Sequence, residues 1–347
     1  MPSLSDVLLQ LYNNRKVMMG VVIIGGSGFI GTRLGRLLIK AGTDFKIVDK
    51  VISGTFPSRT VLADIRGVET LRASIHEHDV VINLAAEHRD DVRPLTLYDD
   101  VNVGGAKNLC IVAREKQVKT IIFTSSVAVY GFAPINTDEA GKIAPFNDYG
   151  RTKYEAEQIF KAWQAEEPTV RTLVIIRPTV VFGEQNRGNV YNLLRQIASG
   201  KFVMVGHGEN RKSMAYVENV AAFIEYAIGF KPGVHIYNFI DKPDFTMNSL
   251  VANVTAALGK SRKISLRMPF AVGYMIGKGF DMAAALTGKR YAISSIRVKK
   301  FCANSVYNTA IDETGFISPV PLEYALVQTV RHEFMESHED EGVFYTE

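Results

Sequence analysis

The sequence has few of the residues that build disulfide frameworks or zinc sites. Its 347 residues include two cysteines, Cys110 and Cys302, which lack the paired spacing of metal ligands. This usage is typical of a reduced, cytoplasmic protein, and no metal site is predicted. Long apolar runs are also missing, because the most apolar stretch, 268–288, contains Lys278, Asp281 and several glycines. A membrane-spanning helix is therefore not supported.

A strong net charge is absent as well, since the total is only +4. The charge is unevenly distributed: residues 185–300 contain seventeen Lys and Arg against six Asp and Glu. This half of the chain should attract anions. It has no nucleic-acid motif, so a nucleic-acid partner is not predicted. A diphosphate-bearing substrate or an anionic membrane surface fits the charge better.

Glycines are concentrated where the chain first becomes strongly apolar, in residues 21–31, VVIIGGSGFIG. A run short enough for a buried strand leads into Gly25, Gly28 and Gly31, and a helical pattern follows. Glycines let the backbone approach a ligand closely, and a helix N-terminus attracts negative charge. The pattern predicts a diphosphate-binding turn, although an ordinary glycine turn has the same spacing.

A carboxylate ends the second predicted strand, 45–49, about twenty residues further on. Asp49 occupies the place where dinucleotide folds bind the adenosine ribose. It would repel a 2′-phosphate, which favours NAD over NADP, although Lys50 is adjacent. A merely solvated carboxylate is the alternative. Predicted strands at 61–64 and 79–86 lead to the same edge, followed by a charged loop in which His88 faces either substrate or solvent.

The predicted chemistry lies after the fifth strand, 120–125. Ser126 follows that strand, and a helix from Tyr149 to about residue 165 places Tyr149 and Lys153 on one face. A nearby ammonium lowers the pKa of a phenol by favouring the phenolate. The pair is therefore a candidate general acid and base, with the serine hydroxyl holding a reacting alcohol.

Together these residues resemble the extended short-chain dehydrogenase/reductase family of NAD-dependent sugar epimerases and dehydratases, over residues 21–334. The resemblance implies an α/β fold, a Rossmann-like doubly wound parallel sheet with a smaller C-terminal substrate lobe. It implies NAD-binding segments 18–183 and 214–242 and substrate-binding segments 184–213 and 243–335, between a lead-in (1–17) and a mobile acidic tail (336–347). Ser126, Tyr149 and Lys153 match the family's catalytic residues. The implied cofactor ligands are Gly25, Gly28, Phe29, Ile30, Gly31, Asp49, Asp64, Ile65, Leu84, Ala85, Ala86, Tyr149, Lys153 and Pro178.

Departures from the family pattern narrow the expected reaction. Val127 and Ala128 stand where dehydratases and decarboxylases carry acidic residues, which leaves epimerisation or reduction of a keto-sugar. Val180 replaces a sugar-binding asparagine and Lys212 a phosphate-binding arginine, so plain UDP-glucose is not the expected substrate. The implied substrate ligands are His88, Ser126, Arg187, Asn189, Arg211 and Lys212.

Longer stretches, 84–92, 123–131, 187–206, 212–217 and 296–302, are similar to bacterial epimerases acting on N-acetylglucosamine diphosphoundecaprenol, which serve O-antigen synthesis. This similarity implies a C4 epimerase for a diphosphate-linked amino sugar, a homodimer, and a cytoplasmic location with peripheral contact to the inner membrane. Residues 268–286 either pack in the core or form an apolar rim on that membrane. A UDP-N-acetylglucosamine 4-epimerase, an NAD(P)H-dependent 4-keto-sugar reductase and a non-enzymatic NAD sensor remain alternatives.

Overall fold

The computed structural model describes residues 20–77, 79–89, 92–260, 266–288, 291, 294–338 and 341–346. The predicted lead-in, 1–17, lies outside the described residues, as do Asp90 and Asp91 of the charged loop.

A seven-stranded parallel sheet forms the centre of the molecule, in the order β10-β6-β5-β4-β1-β2-β3. Strands β1, β4, β5 and β6 are buried along their whole length, because helices cover both faces. The predicted Rossmann-like α/β fold is confirmed. The strands of this sheet are β1 (Val21–Ile24), β2 (Phe45–Asp49), β3 (Thr60–Leu62), β4 (Val80–Asn83), β5 (Thr120–Thr124), β6 (Thr172–Pro178) and β10 (Gly233–Phe239).

Helices on each face of the sheet enclose a separate core. Leu109, Phe160 and Trp163 pack on one face, and Leu34 and Phe223 belong to the core on the other. The helices that pack around this sheet are α1 (Phe29–Lys40), α2 (Val68–Ser74), α3 (Thr96–Tyr98), α4 (Gly105–Glu115), α5 (Asp148–Ala165) and α7 (Val217–Ala227).

The remaining elements build a second, smaller group around two short sheets, β11-β9-β7 and β12-β8. Their third core includes Leu194, Met204 and Leu250. The strands are β7 (Val180–Phe182), β8 (Val203–Val205), β9 (Arg211–Tyr216), β11 (Asp241–Thr246) and β12 (Leu266–Met268). The helices are α6 (Asn189–Ala198), α8 (Met247–Ala257), α9 (Phe270–Thr287), α10 (Ser295–Cys302) and α11 (Leu322–Met335).

Several element boundaries differ from the sequence prediction. Strand β3 ends at Leu62, so Asp64 lies in the following turn, and β4 ends at Asn83. Residues Asp99–Gly104 form a π-helical turn that leads directly into α4. This wider turn contains Asn102, whose buried amide contributes to the site below.

Helix α9 is unusual because its large apolar side chains face solvent. The helix buries only Gly273 and Gly277, whereas Met275, Met282 and Leu286 are 65–81 % exposed. Packing in the core, the first of the two expectations for residues 268–286, is therefore wrong for these side chains. Among the described residues, no helix combines the length and hydrophobicity that crossing a bilayer requires.

The tail, expected to be mobile, instead packs along the body of the protein at residues 341–346. Phe344 exchanges backbone hydrogen bonds with Gln185 and Arg187, at 2.8 Å each. Its ring contacts that of Phe29, with 5.8 Å between centroids. An aromatic contact and backbone pairing outweigh the acidic composition from which mobility was predicted.

Candidate active site

The glycine turn between β1 and α1 has the geometry that a diphosphate needs. Gly25 has φ +76°, and a Cβ there would lie 2.5 Å from the backbone nitrogen of Ala85. Gly28 caps α1 without a side-chain hydrogen bond, and the first turn contains no acidic residue. The partial positive charge at the N-terminus of α1 is therefore not neutralised by side chains of the helix. A diphosphate can neutralise it, so these residues fit a dinucleotide.

Asp49 is the last residue of β2, and Asp64 lies two residues past the end of β3. The Asp49 carboxylate accepts hydrogen bonds from the backbone of Ser27 and Val51, at 3.0 and 3.1 Å, and is partly exposed beside the glycine turn. The Asp64 carboxylate is paired with Arg66 at 2.6 Å, which lowers the pKa of Asp64. Asp49 is thus held beside the glycine turn by the backbone, whereas the Asp64 side chain already has a cationic partner.

Other predicted cofactor residues surround the same edge of the sheet. Ile65 is buried against Gly105 of α4, and Pro178 is buried at the end of β6. Leu84, Ala85 and Ala86 follow β4 and are half-buried. Phe29, Ile30 and Gly31 form the first turn of α1.

The structure brings Ser126, Tyr149 and Lys153 together between β5 and α5. Ser126 begins a short 3₁₀ turn by accepting a hydrogen bond from the amide of Ala128 at 3.1 Å. Its hydroxyl lies beside the phenol of Tyr149 and favours the phenolate. The Lys153 ammonium, 4.5 Å from the centroid of the Phe123 ring, forms no hydrogen bond with another described residue. A buried cation without such partners suits ligand hydroxyl groups.

Burial controls the ionisation of both groups. It raises the pKa of Tyr149 to about 12. It also lowers the pKa of Lys153 to about 7, although the negative charge of Glu157 acts in the opposite direction and raises that pKa. The sequence predicts that Lys153 lowers the pKa of Tyr149, but in the structure Ser126 exerts that effect. The difference arises because burial disfavours the charged form of each side chain, which composition and spacing do not reveal.

A fully buried hydrogen-bond network, which the sequence did not predict, holds together the elements that carry these residues. Glu157, one turn after Lys153 on α5, accepts hydrogen bonds from Ser125 at 2.6 Å and from Arg177 at 2.6 and 2.9 Å. Arg177 also donates to the Tyr130 hydroxyl at 2.7 Å. This network joins β5, β6 and α5 and therefore positions Ser126 relative to Tyr149.

Asn102 is a second positioning residue that was not predicted. Its amide exchanges hydrogen bonds with the backbone of Glu87, at 2.9 and 3.0 Å, and donates to Thr152 at 2.9 Å. It thereby connects the loop containing His88 to the helix that carries Tyr149. The only sequence signal for this role is that one polar residue interrupts an apolar face of the helix.

The predicted substrate ligands lie in different environments. Asn189 is the first residue of α6, directly after the N-cap residue Gly188. Arg187 pairs with Glu333 at 2.7 Å, and Arg211 is exposed. The Lys212 ammonium donates to the carbonyl groups of residues 300 and 303, and burial lowers its pKa to about 8. Lys212 and Arg187 therefore hold protein groups in this conformation.

The C-terminal segment contacts both the loop before α6 and the ring of His88. Thr346 donates to the side chain of Asn186 at 2.6 Å, and its hydroxyl fills the space next to Gly188. The His88 ring reaches the backbone of the same residue. The predicted substrate residue His88 is thus connected to the loop that precedes α6.

Comparisons with known proteins agree with this arrangement. Residues 21–239 match the NAD dependent epimerase/dehydratase family. Over 329 residues the chain is 47 % identical to the N-acetyl-alpha-D-glucosaminyl-diphospho-ditrans,octacis-undecaprenol 4-epimerase of Escherichia coli O157:H7, covering 94 % of this chain and 99 % of that protein. It is 30 % identical to the UDP-glucose 4-epimerase of Vibrio cholerae over 292 residues, 79 % of this chain and 87 % of the relative.

The fold is also similar to a solved structure, the UDP-glucose 4-epimerase of Thermus thermophilus in complex with NAD. The TM-score is 0.67 at 20 % identity, and the match covers 90 % of this chain and 98 % of the other. At this identity the likeness concerns the fold alone.

Proposed function

Because this chain belongs to the NAD-dependent epimerase/dehydratase family, we propose that it is an NAD-dependent C4 epimerase that interconverts N-acetylglucosamine and N-acetylgalactosamine on undecaprenyl diphosphate. The observation that carries this proposal is the 47 % identity to a 4-epimerase named for that lipid-linked sugar, over 94 % of the chain. The product suits the assembly of surface polysaccharides such as O-antigen.

The three clustered side chains supply the acid and base chemistry. Tyr149 takes the proton from the sugar 4-hydroxyl and later returns it, while Ser126 donates a hydrogen bond that orients this hydroxyl. Lys153 binds the nicotinamide ribose, and the Ser126 hydroxyl favours the phenolate of Tyr149. NAD, when bound, would supply reversible hydride transfer at C4 of the sugar, and because the hydride is returned there would be no net consumption of the cofactor.

We assign the segments accordingly. Residues 18–183 and 214–242 bind NAD through the glycine turn and Asp49. Residues 184–213 and 243–335 bind the sugar diphosphate, with the N-terminus of α6 at Asn189 as the main anion site and with Arg211 as the exposed cation nearby.

Parallel assays with two donors test the proposed reaction. Lipid-linked and UDP-linked N-acetylglucosamine are incubated separately with purified enzyme, and the products are resolved from their C4 epimers. We expect conversion of the lipid-linked donor without net change in NADH absorbance, and conversion that is slower by about a hundredfold or more with Tyr149→Phe. Preference for the UDP-linked donor would refute the lipid specificity. Stoichiometric formation of NADH from NAD, with the sugar oxidised and not reduced again, would instead indicate a keto-sugar reductase acting in reverse.

We further propose that helix α9 lies in the interface of the inner membrane, on its cytoplasmic face. Its exposed side chains include Met275, Met282 and Leu286, and the helix contacts the body through Gly273 and Gly277. Large apolar residues on one side of a surface helix favour partition into the lipid interface. The cationic side chains nearby, Lys278, Arg297, Lys299 and Lys300, complement anionic lipid headgroups.

A groove next to this helix supports the same proposal. It has a volume of about 500 Å³ and is lined by the loop after β8, by Phe270 at the start of α9, and by Lys299 and Cys302 of α10. Its lining extends from Asn210, the residue before β9, to Phe270 of the apolar helix. A polyprenyl chain could leave the site along this groove and remain in the lipid.

Flotation with vesicles of phosphatidylethanolamine and phosphatidylglycerol tests the membrane contact. The double variant Met275→Glu and Met282→Glu should lose binding, because two charges would enter the interface. Ile317→Glu is the matched control, since this side chain is 85 % exposed elsewhere on the protein. Unchanged flotation of the double variant would refute the membrane contact without affecting the proposed reaction.

We also propose a homodimer formed through α4 and α5. Ile111 on α4 is 42 % exposed and provides an apolar contact on that face. Light scattering of the eluting protein should give twice the chain mass of 38.4 kDa, and Ile111→Asp should reduce it to one chain mass. A monomeric wild type would refute the dimer.

A further inference from the structure

Outside the catalytic cleft, three side chains of the types that can coordinate a metal ion lie close together, one in the last turn of α11 and two after it. We call His332, His338 and Glu341 the histidine–glutamate cluster. His332 Nε2 lies 3.1 Å from Glu341 Oε2, and His338 Nδ1 lies 3.1 Å from Glu341 Oε1. One ligand atom from each of the three residues lies within 4.8 Å of the others.

We propose that the histidine–glutamate cluster binds a divalent transition-metal ion of the zinc class. Two imidazoles and one carboxylate, with a fourth position open to water, form a known zinc ligand set. Metal bonds near 2.1 Å place tetrahedral ligand atoms about 3.4 Å apart, so the three ligand atoms, which lie within 4.8 Å of one another, must approach more closely when the ion binds. The two rings, now stacked with centroids 3.7 Å apart, turn toward Glu341 when the ion binds.

Neighbouring groups are arranged to orient these ligands. Gln185 donates to Glu341 Oε2 at 2.7 Å, and its backbone amide donates to Glu333 at 2.6 Å. His338 Nε2 lies 3.1 Å from Glu336. Hydrogen bonds to metal ligands of this kind fix their orientation and strengthen binding. The cluster also lines a cavity of about 280 Å³, which provides room for an ion and its water.

The position of the cluster gives the ion a structural consequence. Glu341 opens the C-terminal segment, and Gln185 joins the cluster to Phe344 through a backbone hydrogen bond of 2.8 Å. Phe344 in turn contacts Phe29 at the dinucleotide turn. A metal ion that holds Glu341 against α11 therefore fastens this segment along the rim of the cleft. The sequence did not predict this site, because its ligands span a helix end.

Zinc binding to the full-length, untagged protein tests the proposal, since a histidine tag would bind the ion itself. After chelator treatment, calorimetry with zinc alone should give one site, and cobalt substitution should give the absorption of a tetrahedral centre. We expect His338→Ala to weaken zinc binding about a hundredfold or more. His76→Ala removes an exposed histidine far along the chain and should leave binding unchanged.

Hydrogen exchange at the amide of Phe344 tests the link to the segment. Zinc should slow this exchange at least about tenfold in the wild type and not in His338→Ala. Equal zinc affinity in both proteins would overturn the metal site and leave only hydrogen bonds between histidine and glutamate. Tight binding without slower exchange would overturn the fastening of the segment.

Discussion

Replacing Lys153 by methionine should stabilise the NAD-stripped protein while it abolishes activity. Lys153 is 2 % exposed, and burial lowers its pKa from 10.5 to about 7. Between about pH 7 and pH 10.5, the Lys153 side chain is therefore mostly protonated in the unfolded chain and mostly neutral in the folded chain. Keeping the ammonium buried costs folding free energy, which methionine avoids with a side chain of similar length.

The magnitude and its pH dependence follow from these two pKa values. Their separation of about 3.5 corresponds to about 5 kcal/mol at 1.36 kcal/mol per pKa unit. Because the folded-state pKa is the lower one, the full cost is present below pH 7. It decreases as the pH rises and disappears near pH 10.5, where the side chain is neutral in both states. The gain from Lys153→Met should thus be about 3 kcal/mol smaller at pH 9 than at pH 6.

Urea unfolding of NAD-stripped protein at pH 6 and pH 9, followed by circular dichroism, measures this difference. Lys107→Met, at an exposed position on α4, is the control and should change stability by no more than about 0.5 kcal/mol. If Lys153→Met is less stable than the wild type at pH 6, or if its gain is independent of pH, the account of the buried ammonium is wrong.

Three further substitutions test the site. Tyr149→Phe should reduce turnover about a hundredfold or more and retain bound NAD; near-normal turnover would refute its role as acid and base. Glu157→Gln leaves the buried Arg177 without its counter-charge and should cost about 3–5 kcal/mol in urea unfolding, so a loss below about 1 kcal/mol would contradict the network. Gly25→Ala should weaken NAD binding at least about tenfold in calorimetry, whereas Gly42→Ala, with a similar φ and no atom within 4 Å of the added Cβ, should bind NAD normally.

Local patterns were sufficient to predict much of the fold and the core of the site. Glycine spacing after an apolar run predicted the turn at Gly25, and the second strand ends at Asp49 as expected. The spacing of four residues between Tyr149 and Lys153 placed both on α5, which begins at Asp148. These features depend on contacts between residues close in the chain, and helix and strand periodicity encode such contacts directly.

The rest of the site depends on contacts between distant residues. The pairing of Glu157 with Arg177 joins a helix to a strand twenty residues later. Helix and strand periodicity do not reveal that this carboxylate pairs with this guanidinium. Lys212 was predicted to face a phosphate, but its ammonium donates to carbonyl groups some ninety residues further along the chain. Burial, which determines the pKa of Lys153, likewise becomes visible only when the whole core is assembled.

The π-helical turn at Asp99–Gly104 makes the site sensitive to chain length as well as to residue type. Removing one residue from this turn would allow a regular α-helix, which is the more favourable local conformation. It would also rotate Asn102 by about 100° around the helix axis, away from Glu87 and Thr152. A deletion that improves the helix would thus release the loop that carries His88, so related enzymes should tolerate substitutions in this turn more readily than a change in its number of residues.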